Sequence, residues 1–351
     1  MKVLYITFID FGDFSSGSGV RPQKIYDAFL AEGHEVKLLE GEHTNLKQRR
    51  KNVKDILKWL KTNTPDICYV EPPSGPFFNL IDHWLLYKLR LRRLPIGLFY
   101  RDAYWKFAKW WDKKGIKRFI LIAMHIFDLT VFRCCCNTVF FPSKSMADLF
   151  RFKHKEILPP AGENRLTEML DKNIDTAVYV GGVSERYGTH ILLQSFMILN
   201  EEKFCNIHLK MVCRVDDDNE LIAPYKNKPW LELIKASGEQ LKDIYSGADI
   251  GIIPFQRDLY MDFAVPVKLM EYLSYGLPVV ATDCVETADF IRSNETGIVC
   301  HDNAESLAMA VSGLVNDKDL YQKYKENSKK ALLEQNLWTH RVQTIVEDLG
   351  K

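Results

Sequence analysis

At 351 residues the chain exceeds the usual span of one hydrophobic core, which predicts two domains of ordinary size. Hydrophobic residues at 46% and charged residues at 26% exclude a disordered or fibrous chain. A net charge of +1 excludes a global pull towards nucleic acid or membrane, and eight cysteines without a C-x-x-C pair exclude a zinc ribbon or a disulfide framework.

The N-terminus, MKVLYITFIDFGD, has an apolar run too short and too soon followed by Asp10 and Asp13 for a signal peptide, so a cytoplasmic protein is expected. Val3 to Ile9 reads as a buried strand, followed by a loop with Gly12, Gly17 and Gly19 and a helix from about Pro22. Glu35 to Leu39 resumes as strand, completing a β-α-β unit. The alternation continues with a helix at 53–61, a strand at 66–70, a helix at 78–92 and a strand at 96–100. The apolar run Phe119 to Phe132 spans 14 residues with His125 and Asp128 inside it, short of the roughly 20 that cross a bilayer. A strand at 138–141 leads to Pro159, Pro160 and Gly162, the expected hinge.

The pattern then starts again: strands at 176–180, 207–213, 231–235, 250–254, 279–282 and 298–300, with helices between them. The expected fold is α/β, two doubly wound Rossmann-like domains facing each other across a cleft lined by the C-terminal ends of the strands. The expected division is 1–160, 161–335, and a final amphipathic helix over 336–351 with Val342, Ile345, Val346 and Leu349 on one face.

The densest signal is VPVKLMEYLSYGLPVVATD, from Val265 to Asp283. Pro266 suits the start of a helix, whose free N–H groups and positive dipole end attract an anion, and Lys268 adds a cation on the same turn. One turn on, Glu271 offers a carboxylate that accepts from vicinal hydroxyls. Gly276 ends the helix before the buried strand. An ordinary surface helix with an i, i+3 pair between Lys268 and Glu271 is the competing reading.

With its P-x-K-L-x-E-Y-L-x-x-G-x-P-V-V stretch, the sequence resembles the GT-B glycosyltransferases, in particular glycosyltransferase family 4. The segments VFFPSKSMADLF, YVGGVSERYG and IYSGADIGIIPF carry the resemblance over nearly the whole chain. It implies the GT-B fold and a nucleotide diphosphate sugar, of UDP or GDP type, as donor substrate, with no further cofactor. It implies donor contacts at Gly17, Gly19, Gly182, Arg186, Pro266, Lys268, Leu269 and Glu271, an N-terminal domain on the acceptor side and a C-terminal one on the donor side. It also implies a last helix that returns to the N-terminal domain. Two positions depart from the family pattern. Phe263 stands where many members have the first of two glutamates, leaving Asp262 beside it as the candidate, and Tyr187 stands where a phosphate-binding lysine is common, leaving Arg186. Arg186 is otherwise a solvated surface arginine.

In the resembling enzymes the loop Gly12 to Gly19 approaches the donor phosphates or the acceptor. A plain turn is the alternative, and the dinucleotide fingerprint fails because its third glycine falls on Pro22. Arg101 and Asp102 follow the strand at 96–100, where an open α/β sheet places functional groups, so Asp102 is the candidate for acceptor activation, or else pairs locally with Arg101. Between Lys88 and Arg118 stand 11 basic and two acidic residues, interleaved with Phe99, Tyr100, Tyr104, Trp105, Phe107, Trp110 and Trp111. Such a stretch suits an anionic membrane surface, at the inner face in a cytoplasmic protein, or else is a solvated face over buried aromatics. No nucleic-acid-binding fold matches it.

The expected reaction is metal-independent sugar transfer to a glycan or lipid-linked acceptor, of the kind used in polysaccharide biosynthesis. Arg186, Lys268 and the helix N-terminus meet the charge developing on the leaving diphosphate. The resemblance favours retention of configuration, whereas Asp102 acting as base favours inversion. The run Asp216 to Asp218 resembles the Asp-x-Asp motif of metal-dependent transferases but reads better as a solvated loop. A nucleotide-sugar epimerase on the same fold and a non-catalytic nucleotide-sugar binder are the rival functions.

Overall fold

The computed structural model describes residues 1–8, 17–41, 45–109, 111–166, 173–202, 205–215 and 219–351, without the side chains of 17 and 18. The chain forms two compact units. The first comprises Met1–Pro159 with Trp338–Lys351, and the second is Pro160–Leu337.

The first unit runs through β1 (Lys2–Thr7), α1 (Gly17–Ala31), β2 (Glu35–Glu40), α2 (Leu46–Trp59), β3 (Ile67–Glu71), α3 (Leu80–Leu91) and β4 (Ile96–Phe99). It continues through α4 (Tyr104–Phe107), α5 (Gly115–Cys135), β5 (Thr138–Phe141), α6 (Lys144–Asp148) and β6 (Lys155–Ile157). The strands pair in parallel in the order β2-β1-β3-β4-β5-β6. Strands β3, β4 and β5 are buried along their whole length, because helices cover both faces of a parallel sheet; this is why they read as unbroken apolar runs. α1 starts at Gly17, so Pro22 lies inside the helix rather than opening it, and its carbonyl accepts from the Tyr5 hydroxyl at 2.9 Å.

The second unit builds its own six-stranded parallel sheet among the described residues. Its elements are β7 (Thr176–Val180), α7 (Thr189–Met197), β8 (His208–Val212), β9 (Leu231–Ile234), α8 (Leu241–Ser246), β10 (Ile250–Ile253) and α9 (Leu259–Phe263). They are followed by α10 (Val267–Ser274), β11 (Val279–Thr282), α11 (Val285–Asn294), β12 (Gly297–Cys300), α12 (Ala304–Asn316) and α13 (Lys318–Gln335). The order is β12-β11-β10-β7-β8-β9: the chain winds outward from β7 one way and from β10 the other. The β7/β10 pair is therefore the switch point, where α/β sheets leave a crevice beyond the strand ends. Polar side chains close several helix starts, as Asp258, Asn303 and Asp317 accept from the N–H three residues on.

The last helix, α14 (Trp338–Leu349), belongs to the first unit, where it packs on α1 and buries Val342, Ile345 and Leu349. A side chain at Gly97 in β4 would meet Leu349 at 2.8 Å and Phe140 at 2.6 Å, so the glycine makes this seat for the helix.

Candidate active site

The C-terminal ends of β7 and β10 bring together Tyr179, Arg186, Tyr187, Phe255 and Lys268. After β7 the chain turns at Gly181 and Gly182, and the buried Tyr179 hydroxyl donates to the Gly182 carbonyl at 2.6 Å. A one-turn helix, Glu185–Tyr187, follows and ends on Gly188 at φ 67°. A Cβ there would lie 1.5 Å from the Pro254 carbonyl oxygen beyond β10, so only glycine lets the two strand-end loops pack. Arg186 donates from Nη2 to the Tyr187 hydroxyl at 2.9 Å and lies 4.5 Å from that ring's centre.

α10 approaches this crevice by its first turn. Pro266 has the extended backbone of an N-cap (φ −72°, ψ 133°), one place before the helix proper, and no side chain caps the turn. The half-buried Lys268 extends its ammonium over Tyr179, 4.0 Å from the ring centre, and within 5.1 Å of Phe255. A Cβ on Gly181 would fall 2.5 Å from that nitrogen. Loss of hydration pushes Lys268 down to about 7, with Glu271 opposing the shift. An ammonium held by ring faces with no anion at hydrogen-bond distance among the described residues is a cation awaiting a counter-charge.

One turn on, Glu271 accepts at Oε2 from the Tyr245 hydroxyl, 2.6 Å away, while Tyr245 stacks on Tyr275. Burial and the Glu271 charge push the Tyr245 phenol well above its ordinary range, so it remains a donor. Leu269, expected among the donor contacts, is fully buried in the core, and its N–H bonds to the Pro266 carbonyl. Its contribution is to seat the helix. The Tyr272 hydroxyl ties α10 to β10 through the Ile252 carbonyl, and Gly276 ends the segment.

Phe263 is buried against Tyr260, and the neighbouring Asp262 accepts from Nε and Nη2 of Arg257, at 3.1 and 3.2 Å. Asp262 also accepts from the Val285 N–H at the start of α11. Arg257 further meets Asp283 and, through its backbone N–H, Asp302. Sequence reasoning passed over Arg257; a basic residue five before Asp262 was the available signal.

In the first unit, Glu71 at the end of β3 is fully buried between two arginines. Arg21 of α1 reaches Oε1 at 3.0 Å and Arg101, after β4, reaches Oε2 at 2.9 Å, while Tyr69 donates to Oε1. Arg21 also lies over Phe99 and donates to the Pro159 carbonyl, which the buried Arg341 of α14 reaches too. Glu71 was absent from the expected site because a strand-end carboxylate has no local pattern. Asp102 accepts at Oδ1 from the Tyr104 N–H, which starts α4. Gly17 opens α1 and Gly19 is buried within it; Gly12 and Asp216 to Asp218 lie outside the described residues.

The aromatic residues of the basic stretch are mostly core. Phe99, Tyr100, Trp105 and Trp111 are buried, Tyr104 and Phe107 half-buried, and Trp110 is outside the described residues. Other apolar side chains face solvent instead: Leu80, Trp84, Tyr87 and Leu91 along one side of α3, and Ile116, Phe119 and Ile120 at the start of α5. Among the described residues no helix is long and apolar enough to cross a membrane, and no group of three His, Cys, Asp or Glu side chains is placed to hold a metal ion.

Two doubly wound parallel sheets, one with a cationic helix start at its switch point, define the GT-B class of glycosyltransferase fold. Residues 175–317 match the family described as glycosyl transferases group 1. Among solved structures, WaaG, a glycosyltransferase involved in lipopolysaccharide biosynthesis, is similar over 99% of this chain and 100% of that one, with a TM-score of 0.67 and 16% identity. HepE from Anabaena, in complex with UDP and glucose, covers 99% of each chain with a TM-score of 0.69 and 12% identity. The UDP-GlcNAc 2-epimerase from Neisseria meningitidis, bound to UDP-GlcNAc, also covers 99% of each, with a TM-score of 0.52 and 13% identity. Comparison with curated protein sequences finds no match.

Proposed function

We propose that the protein transfers a hexosyl group from a nucleoside diphosphate sugar, of UDP or GDP type, to a hydroxyl of a glycan or lipid-linked acceptor without a metal ion. The observation that carries this reading is the Lys268 ammonium, set on Tyr179 beside Gly181 at the switch point with Glu271 one turn away. A diphosphate there gains a charge-assisted contact and the uncapped N–H groups of α10, and Glu271 accepts from ribose hydroxyls. As the bond to the anomeric carbon breaks, Lys268 and Arg186 stabilise the leaving diphosphate. Retention is the preferred outcome, the leaving phosphate taking the acceptor proton; Asp102 takes it in the inverting alternative. Titration calorimetry with UDP and GDP tests the donor site, with Lys268→Ala and Glu271→Ala expected to lose at least tenfold in affinity while remaining folded. Unchanged affinity in both variants removes the assignment. The anomeric configuration of the product, with and without EDTA, decides stereochemistry and metal use.

An epimerase remains the rival, supported by the fold likeness to the Neisseria enzyme. Release of an altered free nucleotide sugar without any acceptor favours it, and nucleotide binding without turnover favours a non-catalytic binder.

For the acceptor side we propose peripheral contact with an anionic membrane through α3 and the start of α5. Ile116 and Phe119, 79% and 73% exposed, stand among Lys113, Lys114, Lys117 and Arg118. Apolar side chains inserted between basic ones suit an anionic headgroup layer, at the inner face in a cytoplasmic protein. Co-sedimentation with vesicles containing phosphatidylglycerol is expected to fall with salt and with Ile116→Ser/Phe119→Ser. Binding unaffected by that double change removes the surface.

A further inference from the structure

The first unit holds a second polar constellation, at the C-terminal ends of β3 and β4. The loop 72–75, Arg101 and Asp102 close with His125 and Asp128 of α5 around a slot with room for about one water-sized group. Asp128 is anchored, accepting from the Phe77 N–H at 2.8 Å and contacting His83 Nε2 at 2.7 Å. Asp102 is anchored at Oδ1 by the Tyr104 N–H.

His125 differs from these. It is 4% exposed, its ring stacks flat on Trp105 at 4.6 Å, and it makes no hydrogen bond to a described residue. A ring only 4% exposed that finds no hydrogen-bond partner among the described residues points to a group bound in the slot it lines. Burial pushes His125 down to about 4, so at neutral pH it is an uncharged imidazole offering one donor and one acceptor nitrogen. The charges around the slot narrow the ligand. Asp102 and Asp128 oppose a phosphate, and Arg101, which also lines the slot, is already shared with Glu71. A hydroxyl, donor and acceptor at once, matches an imidazole beside a carboxylate.

We propose that this slot seats a hydroxyl of the acceptor's sugar, held between His125 and Asp102. The assignment to an acceptor rests on the transferase reading, whereas the hydroxyl site itself rests on the slot. It adds a specificity-determining residue, His125, contributed by a helix rather than by the strand-end loop.

The test follows the imidazole signals of His125 by NMR in the labelled full-length protein during titration with methyl glycosides of glucose, galactose, mannose and N-acetylglucosamine. Inorganic phosphate is the anion control and UDP is titrated in parallel. A saturable shift with at least one glycoside and none with phosphate is expected. His125→Phe, which keeps the ring stack but has no nitrogen, and Asp102→Asn are each expected to weaken that glycoside at least tenfold, read on the Trp105 indole signal, with UDP affinity unchanged. A silent His125 with every glycoside, an equal response to phosphate, or full affinity in His125→Phe overturns the slot and leaves it a structural water site. UDP failing to bind the wild-type protein counts against the transferase reading, and a glycoside shift in that case supports the slot without its acceptor role.

Discussion

The Lys268 ammonium rests 4.0 Å from the centre of the Tyr179 ring, with Glu271 as the charge that favours its protonation. In the folded protein this lysine is lowered from 10.5 to about 7, whereas in the unfolded chain it keeps its ordinary value. The unfolded state therefore binds the proton first, and this group lowers stability as pH falls from about 10.5 through about 7, most fully below that. A diphosphate reverses the preference, because it favours the charged form. Binding of UDP at pH 8 is expected to take up most of a proton, read from calorimetry in buffers of different ionisation enthalpy. In Lys268→Met the uptake disappears. Proton release by the wild-type protein, or the same uptake in Lys268→Met, contradicts this account.

Two glycines of the segment that follows β7 separate binding from folding. At Gly181 the added Cβ meets the far end of Lys268, which can swing away, so Gly181→Ala is expected to leave the melting temperature within a few degrees. UDP affinity in that variant should fall about tenfold, or about 1.4 kcal/mol. At Gly188 the Cβ meets the Pro254 backbone in a left-handed conformation, so Gly188→Ala should destabilise the protein by about 3 kcal/mol or more. Denaturant melts of both variants check the contrast, and equal stabilities would disprove it.

The Tyr245 hydroxyl fixes one oxygen of Glu271 at 2.6 Å. Removing it in Tyr245→Phe should cost about 1 kcal/mol of stability and leave Glu271 less well oriented. UDP affinity should drop two- to fivefold, less than in Glu271→Ala, since the carboxylate remains. A larger loss in Tyr245→Phe than in Glu271→Ala would reverse the order of their roles.

Glu71 joins Arg21 and Arg101 in the first unit, with no exposure to solvent. Glu71→Gln leaves two buried guanidinium groups with a neutral partner, and a cost of about 3–5 kcal/mol is expected in urea melts. Glu71→Ala should be at least as damaging. A variant as stable as the wild type would mean that water reaches these arginines.

The buried strands were legible because parallel sheets covered on both faces give continuous apolar runs. Thr176–Val180 and Val279–Thr282 match their expected limits for that reason. Helix limits were less legible. α1 begins at Gly17 although Pro22 suggested a start, because neighbouring packing outweighs the local preference of one residue. Asp128, read as an interruption of an apolar run, is the anchor of His83 and of the Phe77 N–H, a pairing over 45 and 51 residues that no local pattern announces.

The sequence by itself determined the alternating α/β order, the break near Pro159 and the local chemistry of Pro266, Lys268, Glu271 and Gly276. These are properties of neighbours along the chain: apolar period, fixed φ, charge on one helical turn. Only the tertiary structure decided that Lys268 meets Tyr179 and Gly181, that Arg257 holds Asp262, that Glu71 carries two arginines, and that the aromatics of the basic stretch are mostly core. Each of those depends on which strand ends lie side by side, and the switch point that juxtaposes β7 with β10 is a property of the sheet order, not of any segment.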